Sequence, residues 1–384
     1  MSVQVSFKKQ FTVYFIFIII ILSAVEISAR IYEYSPVSTQ CQFIDSPIFE
    51  ETDYFLMKQI CIDHNYVKYS TFPDSNVASF EPNITDTIKI NSFGFRGSEF
   101  EQEKPDNTYR IFMVGGSSTF GSGVIDENTI TGIMQKLFED SNLKWNVEVI
   151  NAGIPGAESF RETWVIRNII YDLEPNFIIN FGGFNEARMG TNVFEREAYR
   201  NYMDYDEMKN SIKNENIENE NIENENNLFE FKNYSFYRTP FVIYDILIKD
   251  LKEKEFKNEN GLDNDKIIKE YYENWKNICV SSAEKNIHTM IILQPAPGLT
   301  SRDIFEGEIR VGEDVQQIYP FLNTTLNELG KFCSITEDYR PIFDDITHPI
   351  YIDDIHMGRE GNEIIAKKIY EKILPIIIKD MLKT

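Results

Sequence analysis

The segment RIFMVGGSSTFGSG runs from an apolar stretch into Gly115, Gly116, Ser117, Ser118 and Thr119, which presents a hydroxyl on a tight turn ahead of a helix. A phosphate cradle also uses a Gly-rich turn, but the P-loop lysine is absent and the spacing does not fit GxGxxG. VINAGIPGAES sets Gly153 and Gly156 at a second strand end, where a glycine N–H can approach a substrate oxygen with no side chain in the way. A turn glycine without chemical duty is the plainer reading. IINFGGFNEA ends in Asn185, which serves either as an amide donor into the same cleft or as an ordinary turn or cap residue. Near the C-terminus, YIDDIHMGREGNEIIAKKI holds Asp353 and His356 three residues apart on a loop that leads into the final helix.

A serine hydroxyl is a poor nucleophile at its free pKa. It needs a neutral imidazole to take its proton and a carboxylate to fix the tautomer of that imidazole. Only four histidines compete for the part. His64 falls in an irregular region, and His288 opens a core-like strand. His348 also has an aspartate, Asp345, three residues before it, but Pro349 follows and no helix starts there. His356 is therefore the preferred base. A lone histidine with a structural duty is the alternative.

Positioning these residues requires elements that end where they begin. From about residue 108, short apolar runs alternate with helical stretches, the pattern of a parallel sheet with crossover helices on both faces. Strands are expected over Tyr109–Val114, Val147–Asn151, Phe177–Phe181, Thr289–Leu293 and, more weakly, Phe332–Thr336. Helices are expected near 128–139, 158–172, 264–285, 314–330 and 360–382. The last carries Ile365, Ile369 and Ile373 on one face for packing on the sheet, and Pro375 should kink or shorten it. In an open parallel sheet, ligands bind at the carboxyl ends of the strands, and the first three strands all end in small or polar residues.

Taken in order, the four blocks resemble those of the SGNH hydrolases, also called the GDSL esterase and lipase family. Ser117 matches the nucleophile of block one, Gly156 in NAGIPG the glycine of block two, Asn185 in GFNE the asparagine of block three, and Asp353 with His356 the closing DxxH. The resemblance covers residues 108–384 apart from an insertion at about 187–262. It implies a flavodoxin-like three-layer α/β/α sandwich with a central parallel sheet. It also implies a Ser117–His356–Asp353 triad, and an oxyanion hole made by the N–H groups of Ser117 and Gly156 and the side chain of Asn185. Two departures stand out: Gly116 replaces the aspartate of GDS, and Glu186 replaces the aspartate after the block-three asparagine. Neither removes a catalytic group, but they leave the substrate class open. The string NSFGFRGSEF at 91–100 resembles the lead-in of anchored members and is given no catalytic role.

The expected chemistry is ester hydrolysis on an acyl or acetyl ester, with an acylated surface glycan as the guess for substrate. An O-acyltransferase that modifies surface glycans, and a non-catalytic surface binding module, are the alternatives. No cofactor or metal is called for; the four cysteines form no Cys-x-x-Cys pair.

Residues 11–25, FTVYFIFIIIILSAV, follow Lys8 and Lys9 and are the one stretch able to enter a bilayer, either as an uncleaved anchor or as a cleaved signal segment. A buried core helix is the third reading. Either membrane reading puts the remainder outside the cytoplasm, and sequons at Asn83, Asn233 and Asn323 fit an exported glycoprotein. The domain division expected is 1–30 for the anchor or signal, 31–107 for an irregular stalk or cap, and 108–384 for the hydrolase domain. The insertion, centred on NENIENENIENENN, is too polar to order itself, so a mobile solvated loop or a lid is expected there. A formal charge of -23 argues against nucleic acid as a partner. If the chain is exported, Cys41 with Cys61 is the first pairing to test, whereas Cys279 and Cys333 read as buried core thiols.

Overall fold

The apolar N-terminal run forms one helix, α1 (Phe7–Tyr34), whose 28 residues contain no Gly or Pro to interrupt the backbone ladder. Its stretch Phe7–Arg30 is long and apolar enough to cross a bilayer, spanning about 36 Å at 1.5 Å per residue. The computed structural model describes residues 6–34, 46, 48, 54–73, 75, 77–189 and 264–383. The chain divides into two units, Met1–Cys41 with Phe194–Asn260 and Gln42–Val193 with Gly261–Thr384. Helix α1 belongs to the first; everything that follows concerns the second. Cys41, Asn233 and nearly all of the acidic insertion, including the aromatic stretch 229–244, lie outside the described residues.

Residues 54–100 carry more regular structure than their sequence suggests. Helix α2 (Tyr54–Tyr66) is followed by β1 (Tyr69–Thr71) paired antiparallel with β2 (Ala78–Phe80), then by β3 (Asn83–Ile84) paired with β4 (Lys89–Ile90). The Asp63 carboxylate fastens α2 to the loop before β4, accepting the Thr87 N–H at 2.9 Å and the Thr87 hydroxyl at 2.8 Å. From Ile90 the pairing passes through Arg96 to Asn151, so this segment docks on the sheet edge.

The sheet itself contains β5 (Thr108–Gly115), β6 (Asn146–Gly153), β7 (Phe177–Gly182), β8 (His288–Leu293) and β9 (Ile335–Asp338). All pairings are parallel, in the spatial order β6-β5-β7-β8-β9. That is the flavodoxin-like order, and its switch point, where a crevice opens, falls between β5 and β7. The helices are α3 (Ser117–Phe120), α4 (Ile130–Glu139), α5 (Ser159–Asn168), α6 (Phe184–Met189), α7 (Asn264–Glu284), α8 (Glu313–Leu329) and α9 (Arg359–Met381). One face of the sheet, with Ile111, Met113, Val147, Ile179 and Ile292, packs with Ile130 and Met134 of α4 and Ile365, Ile369 and Ile373 of α9. Alternation sends the intervening residues to the other face, where α5, α7 and α8 pack together. The result is a three-layer α/β/α sandwich.

Three expectations need correction. Pro375 does not shorten helix α9, which continues to Met381. A mid-helix proline costs about 3 kcal/mol. Ile373 and Ile377 are both fully buried, and at roughly 1.5–3 kcal/mol each they offset it. Cys279 and Cys333 are not thiols: they form a disulfide, with Cα atoms 4.8 Å apart and a sequence separation of 54. The packing of α7 on α8 brings together the helix face bearing Cys279 and the turn that follows α8, a meeting that no local spacing encodes. The same turn delays the last strand, which starts at Ile335 rather than Phe332.

Candidate active site

Strand β5 ends at Gly115, Gly116 caps the next helix with an extended backbone, and Ser117 begins that helix as a half-buried residue. A side chain at 116 is sterically opposed: a Cβ there would lie 2.4 Å from Asn185 Nδ2. Asn185 thus occupies the space over the residue that precedes Ser117, and a side chain at 116 would displace it.

Asn185 lies in the first turn of α6, beyond β7, and its amide donates to Ala157 O at 2.7 Å. One proton of Nδ2 satisfies that carbonyl; an amide carries a second. The loop after β6 closes the other side. Ile154 N–H donates to Gly115 O at 2.9 Å and Ala157 N–H to Ile154 O at 2.9 Å. Gly156 sits in this loop at φ +74, a conformation that favours glycine, and a Cβ there would project into open space. Blocks one, two and three therefore converge around Gly116, Ala157 and Asn185 at the switch point.

Glu186, next to Asn185, is buried and accepts the backbone N–H of Ser159, the first residue of α5. It ties the second block to the third. Nearby, burial pushes the Glu162 carboxyl well above the usual carboxylate range, the charges of Glu186 and Glu158 add to this, and the Asn180 amide opposes it at 2.7 Å.

The fourth block forms the expected pair. His356 Nδ1 and Asp353 Oδ2 are 2.7 Å apart, each side chain 16% exposed. The other Asp353 oxygen accepts the N–H groups of Ile355 at 2.9 Å and His356 at 2.8 Å. Burial alone would raise the Asp353 carboxyl; the imidazole and these two N–H groups more than reverse it and hold it below the ordinary carboxylate range. With Nδ1 facing the carboxylate, Nε2 is the ring nitrogen on the side away from Asp353. Arg188 of α6 reaches Asp354 at 3.0 Å, linking the Asn185 helix to the loop of His356. The rival histidines are engaged elsewhere: His348 with Glu360 at 2.9 Å, and His288 with Asp380 at 2.8 Å.

Three residues that hold the turn after Ser117 escaped sequence reasoning. Arg96, in the lead-in string, donates to Phe120 O at 2.9 Å, Gly121 O at 2.8 Å and Val124 O at 2.8 Å, and pairs with Asp126 at 2.8 Å. Burial pushes the Arg96 guanidinium down and the Asp126 carboxyl up, and their mutual attraction opposes both shifts. Asn151 donates to Thr119 O at 2.8 Å. His64, set aside as part of an irregular stretch, stands on α2 with Nε2 3.2 Å from Ser122 Oγ. A lead-in arginine surrounded by glycines was the one available signal. Among the described residues, no group of three His, Cys, Asp or Glu is arranged to hold a metal ion.

No protein-family model matches the sequence, and no curated protein matches it at a significant level. Among solved structures, the chain is similar to an acetyl xylan esterase at 12% identity and a TM-score of 0.40, over 69% of this chain and 99% of that one. An acetylxylan esterase from Geobacillus stearothermophilus shows 11% identity and a TM-score of 0.40, over 69% and 94%. A structure assigned to the G-D-S-L lipolytic family, from Desulfitobacterium hafniense DCB-2, shows 11% identity and a TM-score of 0.36, over 67% and 95%. At these identities and scores the likeness bears on neither activity nor substrate.

Proposed function

We propose that this chain is a membrane-tethered serine hydrolase that cleaves acyl or acetyl esters outside the cytoplasm, with Ser117 as nucleophile, His356 as base and Asp353 as its orienting carboxylate. The observation that carries the reading is the Asp353–His356 pair, together with a serine that opens a helix at the switch point of a 2-1-3-4-5 sheet. His356 Nε2 takes the Ser117 proton as Oγ attacks the ester carbonyl, and returns it to the departing alcohol. Water then releases the acyl group by the same route in reverse. The N–H groups of Ser117 and Gly156 and the second amide proton of Asn185 stabilise the oxyanion. Helix α1 supports the tether, and the disulfide between Cys279 and Cys333 supports an oxidising compartment.

A purified chain is to be assayed on short and long p-nitrophenyl esters and on acetylated glycans, with Ser117→Ala as control. Hydrolysis that favours the short esters and disappears in the variant supports the reading. Product analysis with a glycan acceptor separates transfer from hydrolysis.

A further inference from the structure

Phe120 closes the four-residue helix that Ser117 opens, and its fully buried ring is surrounded by the N-terminal segment. His64 lies 5.7 Å from it between ring centroids, Phe80 lies 5.0 Å away, and the Arg96 guanidinium is 5.0 Å from its centre. Val67, Ile88 and Ile90 complete the same cluster. Beyond Phe120 the chain turns, and the N–H groups of Gly121 and Ser122 both donate to the Ser117 carbonyl, at 2.9 Å and 3.0 Å. His64 Nε2 meets the hydroxyl of Ser122. One side chain of α2 therefore stands a single residue away from the hydrogen bonds that hold the Ser117 backbone.

We propose that His64 is a positioning residue of the active site, acting through the hydroxyl of Ser122 to fix the turn that holds Ser117. Residues 54–100 are then part of the catalytic apparatus rather than a spacer. They are attached rigidly enough to act in this way. Asp63, the residue before His64, takes two hydrogen bonds from Thr87, and Arg96 grips the same turn from three carbonyls. Burial lowers the His64 pKa, a backbone hydrogen bond opposes this, and the charges of Arg96 and His356 lower it further. A neutral imidazole can share a proton with Ser122 without setting a second cation beside His356 as His356 becomes charged.

The inference rests on Ser117 being the nucleophile, and its test separates the two ideas. In the full-length chain, His64→Phe keeps a ring against Phe120 and removes the hydrogen bond, Ser122→Ala removes it from the other side, and His64→Gln restores a polar group at similar reach. Kinetics on a p-nitrophenyl ester and the rate of fluorophosphonate labelling are read together with the melting temperature. Expected is a loss of about tenfold in kcat and in labelling rate for His64→Phe and for Ser122→Ala, equivalent to about 1.4 kcal/mol. KM should be unchanged, the double variant no worse than either single, and His64→Gln within about threefold of the parent, a gap of about 0.7 kcal/mol. A His64→Phe chain that melts lower but keeps its kcat and labelling rate, or losses that add in the double variant, would overturn the proposal while leaving Ser117 in place. Ser117→Ala labelled like the parent would remove the nucleophile, and the proposal with it.

Discussion

Asp353 holds His356 from two directions: one carboxylate oxygen meets Nδ1 at 2.7 Å, and the other takes the His356 backbone N–H at 2.8 Å. The carboxylate thereby fixes both the tautomer of the ring and the loop that carries it. Asp353→Asn should leave the fold intact and lower kcat by about 10⁴, the penalty for presenting the wrong tautomer. Circular dichroism and steady-state kinetics on one preparation check both halves.

The same carboxyl makes stability depend on acidity. Its folded pKa lies below the ordinary value, so the pair contributes its full stabilisation at neutral pH. The contribution starts to fall as pH drops toward about 4, where an unfolded aspartate takes up its proton, and is gone below the folded pKa. Urea unfolding between neutral pH and pH 3 should show a steeper acid loss for the parent than for Asp353→Asn.

Asn185 and Gly116 should behave as one unit. Asn185→Ala is expected to lower kcat by about 10² to 10³ with KM little changed, the usual cost of one oxyanion donor. Gly116→Ala puts a methyl group 2.4 Å from Asn185 Nδ2, so it should lose a comparable factor by displacing the amide. The double variant should be no worse than the more damaged single, a non-additivity that a thermodynamic cycle measures.

How much of this was legible in the sequence follows from the range of the forces involved. The strands ending at Gly115, Gly153 and Gly182 were visible as apolar runs, because a sheet covered on both faces leaves no polar alternation to confuse the reading. His356 could be preferred to His348 on local grounds alone, the helix that follows it. His64 could not be recognised, since its bond to Ser122 spans 58 residues and the short pieces around it carry no periodic signal. Arg96 was hidden for the same reason, its partners lying 24 to 30 residues ahead.

Arg96→Met should cost about 3 kcal/mol, the low end for breaking a buried pair, because the Asp126 carboxylate it leaves behind is only partly buried, its side chain 17% exposed. Asp126 already has a raised pKa, and losing the guanidinium would raise it further. The folded variant then gains stability from protonation at acidic pH and loses it as pH climbs through the folded value. Denaturant midpoints at pH 5 and pH 8 should therefore show the smaller deficit at pH 5.

Replacing Cys279 and Cys333 together by serine removes a cross-link across 54 residues, which the chain-entropy model values at about 4 kcal/mol. The parent chain should show the same loss under strong reductant, read as a shift in the denaturant midpoint.

Fluorophosphonate labelling of the full-length chain, followed by peptide mapping, puts the nucleophile itself at risk. A single adduct is expected on the peptide containing Ser117, absent in Ser117→Ala, with a fall in ester turnover of about 10⁴ or more in that variant. An adduct elsewhere, or ester turnover that survives Ser117→Ala unchanged, would contradict the assignment of Ser117.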